Sequence, residues 1–200
     1  MPQTKGDATR RAILEEALQL ASVVGLDGLT IGTLAKKLEL SKSGLFRHFG
    51  SKEALQKAVI ETGAEHFIQL VVRPVMIMDS GAEAMPALFE GWLEWSVERM
   101  AGGCLFVTAA VEFDDRPGPV RDQVVALQRE WLGFIAATAG RAVESGDFRS
   151  DLDLRQFAHD FNAILLGFNQ VRRLLRDPDA EPRARRAFER LLADAHTVEP

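Results

Sequence analysis

The sequence predicts an all-α fold: a small three-helix head followed by a larger helical body, about nine helices in total. Three observations carry that prediction. No stretch alternates apolar and polar residues with the two-residue period of a strand. Apolar residues recur instead three and four apart through most of the chain. The periodic stretches open on Ser, Thr or Asp and close on Gly or Pro, the chemistry of helix starts and stops.

The elements follow in order. Residues 1–6 read as disordered. Asp7 is placed to cap a helix over residues 8–25, with Ile13, Ala17, Leu20, Ala21 and Val24 on its apolar face. Gly25 and Gly28 end it. Thr30 caps a second, short helix that turns Ile31, Leu34, Ala35 and Leu38 inward and sends Lys36 and Lys37 elsewhere, as plain solvated lysines. After the turn Glu39-Leu40, Ser41 caps a third helix that Gly50 closes. Two short helices joined by a tight turn, the second with a polar face, read as a helix-turn-helix.

The body begins with a helix over residues 52–72, capped by Ser51 and broken at Pro74. Ser80 with Glu83 fits a capping box for a helix over 82–100. Gly102-Gly103 interrupts, and a short, nearly all-apolar helix covers 104–113. The loop Asp114-Asp115-Arg116-Pro117-Gly118-Pro119 precedes a long helix over 119–144. Asp153 and Gln156 open a helix that is apolar on all sides over 163–168, and Asp177-Pro178 separates it from a last one with an apolar stripe from Ala184 to Ala195. These last two helices suit pairing with a symmetry mate.

The third helix organises the chain. At about 100° per residue, Lys42, Ser43, Phe46 and Arg47 share an arc of roughly 140°, while Leu45 and Phe49 lie outside it with His48 beside them. The helix is pinned by two apolar residues and presents a basic, hydroxyl-bearing face. Charge fits that reading. The chain carries net charge −5. Residues 1–52 nevertheless hold eight Lys/Arg against five Asp/Glu, net +3, leaving 16 against 24, net −8, for 53–200. A basic head on an acidic body is expected when only the head meets phosphate. Lys5, Arg10 and Arg11 could add a minor-groove arm.

The order Ala17, Gly25, Thr30, Ile31, Leu34, Ala35, then Ser41-Lys42-Ser43-Gly44-Leu45-Phe46-Arg47-His48-Phe49-Gly50-Ser51-Lys52-Glu53-Ala54-Leu55, resembles the TetR family of transcriptional regulators. The resemblance covers residues 8–55; the body matches only in helix count and acidic-apolar character. It implies a helix-turn-helix DNA-binding domain over 1–52 and a ligand-binding and dimerisation domain over 53–200. It implies a homodimer on a pseudo-palindromic operator in double-stranded DNA, acting as a repressor released by a small apolar or amphipathic effector. Thr30, Thr33, His48 and Lys52 resemble phosphate contacts. Lys42, Ser43 and Arg47 resemble base or backbone contacts, with Arg47 first for bidentate pairing to guanine. Phe46 departs from the family's usual Tyr and can offer only apolar contact, so it positions the helix by packing.

In the body, Trp92, Trp95, Phe106, Trp131, Phe134, Phe161 and Phe168 read first as core and collectively as the lining of an apolar effector pocket. Asn162 and Asn169 lie seven apart on one face of the most apolar helix, and each buried amide needs a partner, from a ligand or from a second subunit. Glu112, Asp114 and Asp115 read as a loop edge. No cofactor, metal or catalytic site is expected. Cys104 is the only cysteine, so no intrachain disulfide can form. The N-terminus lacks a signal peptide's apolar core and no apolar run suits a bilayer, so a cytoplasmic protein without membrane contact is expected. Two rival readings are a helical protein–protein adaptor and a small all-α enzyme in which His159-Asp160 meets Glu112-Asp114-Asp115 around a metal.

Overall fold

A computed structural model describes residues 5–196. In order these form α1 (Lys5–Gly28), α2 (Ile31–Leu38), α3 (Lys42–Phe49), α4 (Lys52–Phe67), α5 (Arg73–Met76), α6 (Gly81–Glu94), α7 (Leu105–Glu112), α8 (Pro119–Glu144), α9 (Leu154–Gln170) and α10 (Ala180–Ala195). π-helical turns follow α4 (Ile68–Val72), α6 (Trp95–Arg99) and α9 (Val171–Leu175). With the one-turn α5 counted as the end of α4, the described residues hold nine helices and no strand, as expected from the apolar periodicity.

Several boundaries differ from those read off the sequence. The expected disorder of residues 1–4 lies outside the described residues, but Gly6 is already in α1 and Asp7 sits in its first turn rather than capping it. Gly25 does not end α1. It breaks the helix with φ 77° and ψ 165°, and a last helical turn follows to Gly28. Pro74 marks a change of helix and not a stop: α4 gives way to the π-helical turn Ile68–Val72, and Pro74 lies in the first turn of the short α5 that follows. The serine and aspartate caps form as expected. Ser41, Ser51 and Ser80 accept from the N–H of Gly44, Ala54 and Glu83, and Asp153 from those of Arg155 and Gln156.

The described chain packs as two compact units. The first holds residues up to 68 together with 96–127. Within it α1 is the central helix, packed on α2, α4 and α7. Ile13, Ala17, Leu18 and Ala21 of α1, Leu34 of α2, Leu45 of α3 and Leu55 and Val59 of α4 are buried there. The turn before α7 is docked on α1. Gln19 binds it twice, through the Arg99 carbonyl (2.8 Å) and the Ala101 N–H (3.1 Å), and the Gly102 N–H donates to Ser22 Oγ (2.9 Å).

The second unit holds residues 69–95 and 128–196 of the described chain. Its densest packing is α9 on α10. Phe89 of α6 stacks on Phe188 of α10 with ring centroids 4.3 Å apart, and Phe161 of α9 meets both rings edge-on. The packing boundary is therefore not the division expected at 52/53: α4 and α7 pack with the head helices.

Candidate nucleic-acid interface

α3 is held as its wheel requires. Leu45 is fully buried and Phe49 nearly so, while Lys42, Ser43, Phe46 and Arg47 are exposed. Arg10 of α1 lays its guanidinium 5.3 Å over the Phe49 ring, and His48, half-buried, lies beside that ring. Arg10 therefore braces the anchor of α3 from within a helix and is not part of a free arm. Phe46 is 57% exposed. Its ring lies outside the chain's own core, which leaves it open to apolar contact with another molecule.

The hydroxyls expected at phosphate have structural work as well. Thr30 accepts from the Thr33 N–H (3.0 Å), and Thr33 Oγ1 accepts from the Thr30 N–H (2.9 Å), a closed capping box at the start of α2. Lys52 extends from the first turn of α4 to the carbonyl (2.5 Å) and carboxylate (2.9 Å) of Asp27. Arg116, from the loop after α7, grips the other Asp27 oxygen at 3.0 Å. Hydrogen bonds and charge from Lys52, then Arg116, hold the Asp27 carboxyl below the usual aspartate range.

Sequence reasoning missed the residues that converge behind this face. Positive φ at Gly25 leaves the next amides without helical partners. The Glu112 carboxylate at the end of α7 accepts them, from Leu26 at 2.8 Å and Asp27 at 3.3 Å. Buried Gln56 of α4 donates to the Leu26 carbonyl at 2.7 Å. Glu112 stands at the loop edge, as the sequence suggested, and from there its carboxylate also holds this turn. The only local signal was the glycine, because its partners lie 30 and 86 residues away.

The expected effector residues divide between the two units. Phe106 belongs to the first, edge-on to Phe67 at 5.8 Å. In the second, Trp92 meets Phe168 at 6.2 Å and Trp131 meets Phe161 at 6.5 Å. Phe134, on α8 of the same unit, is half-buried. Trp95 is buried at the end of α6. Asn162 has one partner in its own chain, since Trp131 Nε1 donates to its Oδ1 at 3.1 Å. Asn169 is 8% exposed, and its Oδ1 finds no hydrogen-bond partner among the described residues. Glu112 serves the Leu26 and Asp27 amides, Asp160 accepts from Gln156, and no described group of three His, Cys, Asp or Glu could hold an ion. No described helix is long and apolar enough to cross a membrane.

The apolar faces of α9 and α10 are only partly covered within the chain. Along the α10 stripe Ala184, Phe188 and Ala195 are buried, while Ala187, Leu191 and Leu192 are half-buried. On α9, Phe161, Leu165 and Phe168 face inward, while Ala163, Leu166 and Gly167 are exposed. The stretch 163–168 is therefore covered on one side only in the single chain.

Comparison with known proteins agrees with this architecture at both ends. The family model of bacterial regulatory proteins of the tetR family matches residues 13–59, and that of the tetracyclin repressor-like C-terminal domain matches residues 81–188. Among curated relatives, the HTH-type transcriptional regulator SrpR of Pseudomonas putida is 20% identical, with 82% of this chain and 74% of that protein covered. The class A tetracycline repressor of transposon 1721 from Escherichia coli is 25% identical over 66% of this chain and 58% of its own. Among solved structures, a TetR-family regulator from Cytophaga hutchinsonii superposes over the whole of both chains with TM-score 0.86 at 20% identity. AibR, solved with isovaleryl coenzyme A and operator DNA, has TM-score 0.72 at 20% identity, covering 94% of this chain and 97% of its own.

Proposed function

We propose, from the premise that this chain belongs to the TetR family of DNA-binding transcriptional regulators, that it is a homodimeric repressor released from a pseudo-palindromic operator by a small effector. The observation that carries the reading is the exposed face of Lys42, Ser43, Phe46 and Arg47 on a helix anchored by buried Leu45 and Phe49. Arg47 reads a base, Lys42 and Ser43 contact bases or backbone, and Thr30, Thr33, His48 and Lys52 contact phosphate. Phe46 lays its exposed ring against the DNA, for instance on a thymine methyl. Residues 1–52 read DNA, and residues 53–200 bind the effector and dimerise.

Dimerisation through α9 and α10 is supported by the exposed apolar face at Ala163, Leu166 and Gly167. Two-fold pairing also suits a palindromic site. An apolar or amphipathic effector among Trp92, Trp131, Phe134, Phe161 and Phe168 is supported by the aromatic packing there and by the unpaired Asn169 Oδ1. AibR, a structural relative, was solved with an acyl coenzyme A. The effector acts by preferring one separation of the two recognition helices over another, transmitted along α4. The protein works in the cytoplasm.

Selection of bound sequences from random duplex DNA with the purified protein tests the reading. A palindromic consensus is expected, with affinity that falls steeply with salt. Arg47→Ala should abolish discrimination between the selected site and random DNA. Equal affinity of the unaltered protein for both would refute the regulator reading.

A further inference from the structure

The last turn of α1, after the break at Gly25, gathers side chains from far along the sequence. Gly25 breaks α1, and the Leu26 and Asp27 amides then have no carbonyl one turn back to bond. Glu112, the last residue of α7, takes both on one carboxylate oxygen. Its other oxygen fills the space where a side chain on residue 25 would begin: a Cβ there would lie 1.7 Å from Glu112 Oε1. Gln56 fixes the Leu26 carbonyl, and Lys52 and Arg116 fix Asp27. Every polar group of the turn at residues 26 and 27 that these bonds reach is held from α4, α7 or the loop after α7. Only Gly28, Leu29 and the Thr30 cap separate this turn from α2, so its placement sets where α2 and α3 stand on α1.

We infer that Glu112 is a positioning residue for DNA recognition: its carboxylate replaces the helical hydrogen bonds lost at Gly25 and thereby fixes the helix-turn-helix on α1 from the end of α7. The inference rests on the DNA-binding reading above. Glu112 itself would not touch DNA, which separates it from Lys42 or Arg47. Lys52 and Arg116 pair with Asp27 and not with Glu112, so Glu112 acts on the turn through the two amides.

The test uses the full chain and a duplex selected by the unaltered protein. Glu112→Ala leaves two amides without their acceptor and should weaken binding by about tenfold. Glu112→Gln keeps an accepting oxygen and should bind within about threefold of the original. Because no phosphate contact changes, the slope of log affinity against log salt should be the same in all three proteins. Hydrogen exchange on the unaltered protein gives an independent reading: the Leu26 and Asp27 amides should be protected despite the break in α1. Unchanged binding in Glu112→Ala overturns the inference, as does a glutamine variant as weak as alanine or a shifted salt slope. Rapid exchange of both amides in the unaltered protein overturns it without any variant having to fold. If the unaltered protein selects no sequence at all, the DNA-binding reading itself fails.

Discussion

Gly102→Ala should be among the most damaging single-methyl changes in this chain. A Cβ on residue 102 would lie 1.8 Å from the Ser22 carbonyl oxygen, 2.1 Å from its carbon and 2.5 Å from the Val23 nitrogen. All three are main-chain atoms of α1, so no rotamer change relieves the clash. Ordinary contact begins near 3.4 Å, so the turn and the helix must part by about 1.6 Å. That movement breaks the buried bond from the Gly102 N–H to Ser22 Oγ and strains the two Gln19 bonds beside it. Overpacking of this kind costs about 1–3 kcal/mol, and a lost hydrogen bond about 1 kcal/mol more. A total of about 3 kcal/mol lowers Tm by roughly 6–12 °C for a chain of this size. Gly133→Ala is the matched control: it lies within α8 with nothing within 4 Å of a new Cβ, and should stabilise by up to about 1 kcal/mol. Thermal melting by circular dichroism measures both. A Gly102→Ala protein that melts within 2 °C of the original, on the order of measurement scatter beside the drop worked above, would show that the turn before α7 is not clamped on α1 as described.

Three further outcomes are expected. Phe46→Tyr restores a hydroxyl at an exposed site and should tighten binding to the selected operator by roughly two- to twelvefold if that hydroxyl reaches phosphate; an unchanged affinity in fluorescence anisotropy would show that it does not. Asp27 has a native pKa below its ordinary 3.8, so its pairing with Lys52 and Arg116 contributes stability above that value and loses it as pH falls below 3.8 through the depressed one. Acid titration of Asp27→Asn should therefore start from lower stability at neutral pH and converge with the original protein under acid, whereas a constant gap down to the lowest pH would contradict the pairing. Leu166→Arg, on the exposed face of α9, should leave the helical circular dichroism intact and convert a dimer to a monomer in analytical ultracentrifugation; an unchanged sedimentation coefficient would remove α9 from the interface.

Much of the architecture was legible because helices announce themselves locally. The three-four spacing of apolar residues, with Ser41, Ser51, Ser80 and Asp153 as caps, located the corresponding helix starts to within a residue or so. The outward set on α3 followed from eight residues of angular arithmetic, and burial of Leu45 and Phe49 agrees with it. Backbone continuity was harder to read. Pro74 looked like a break but sits where a helix tolerates it, and Gly25 looked like an end but is a kink inside one helix. A glycine or proline shows only that the local backbone is permitted to change course; its neighbours decide whether it does.

By itself the sequence determined an all-helical chain with a basic reading helix on a two-residue anchor, because those features depend on residues within a turn or two of one another. Partnership across the chain belonged to the tertiary structure. Glu112 with Leu26, Gln56 with the Leu26 carbonyl, Trp131 with Asn162 and Phe188 with Phe89 are pairs that no spacing rule connects. The same holds for surface: Phe46, Leu166 and Phe188 are all large apolar residues on amphipathic helices, yet two are exposed and one is buried. Hydrophobicity sets the gain from burial, but only the packing of distant segments decides which apolar face is covered within the chain and which is left for another molecule.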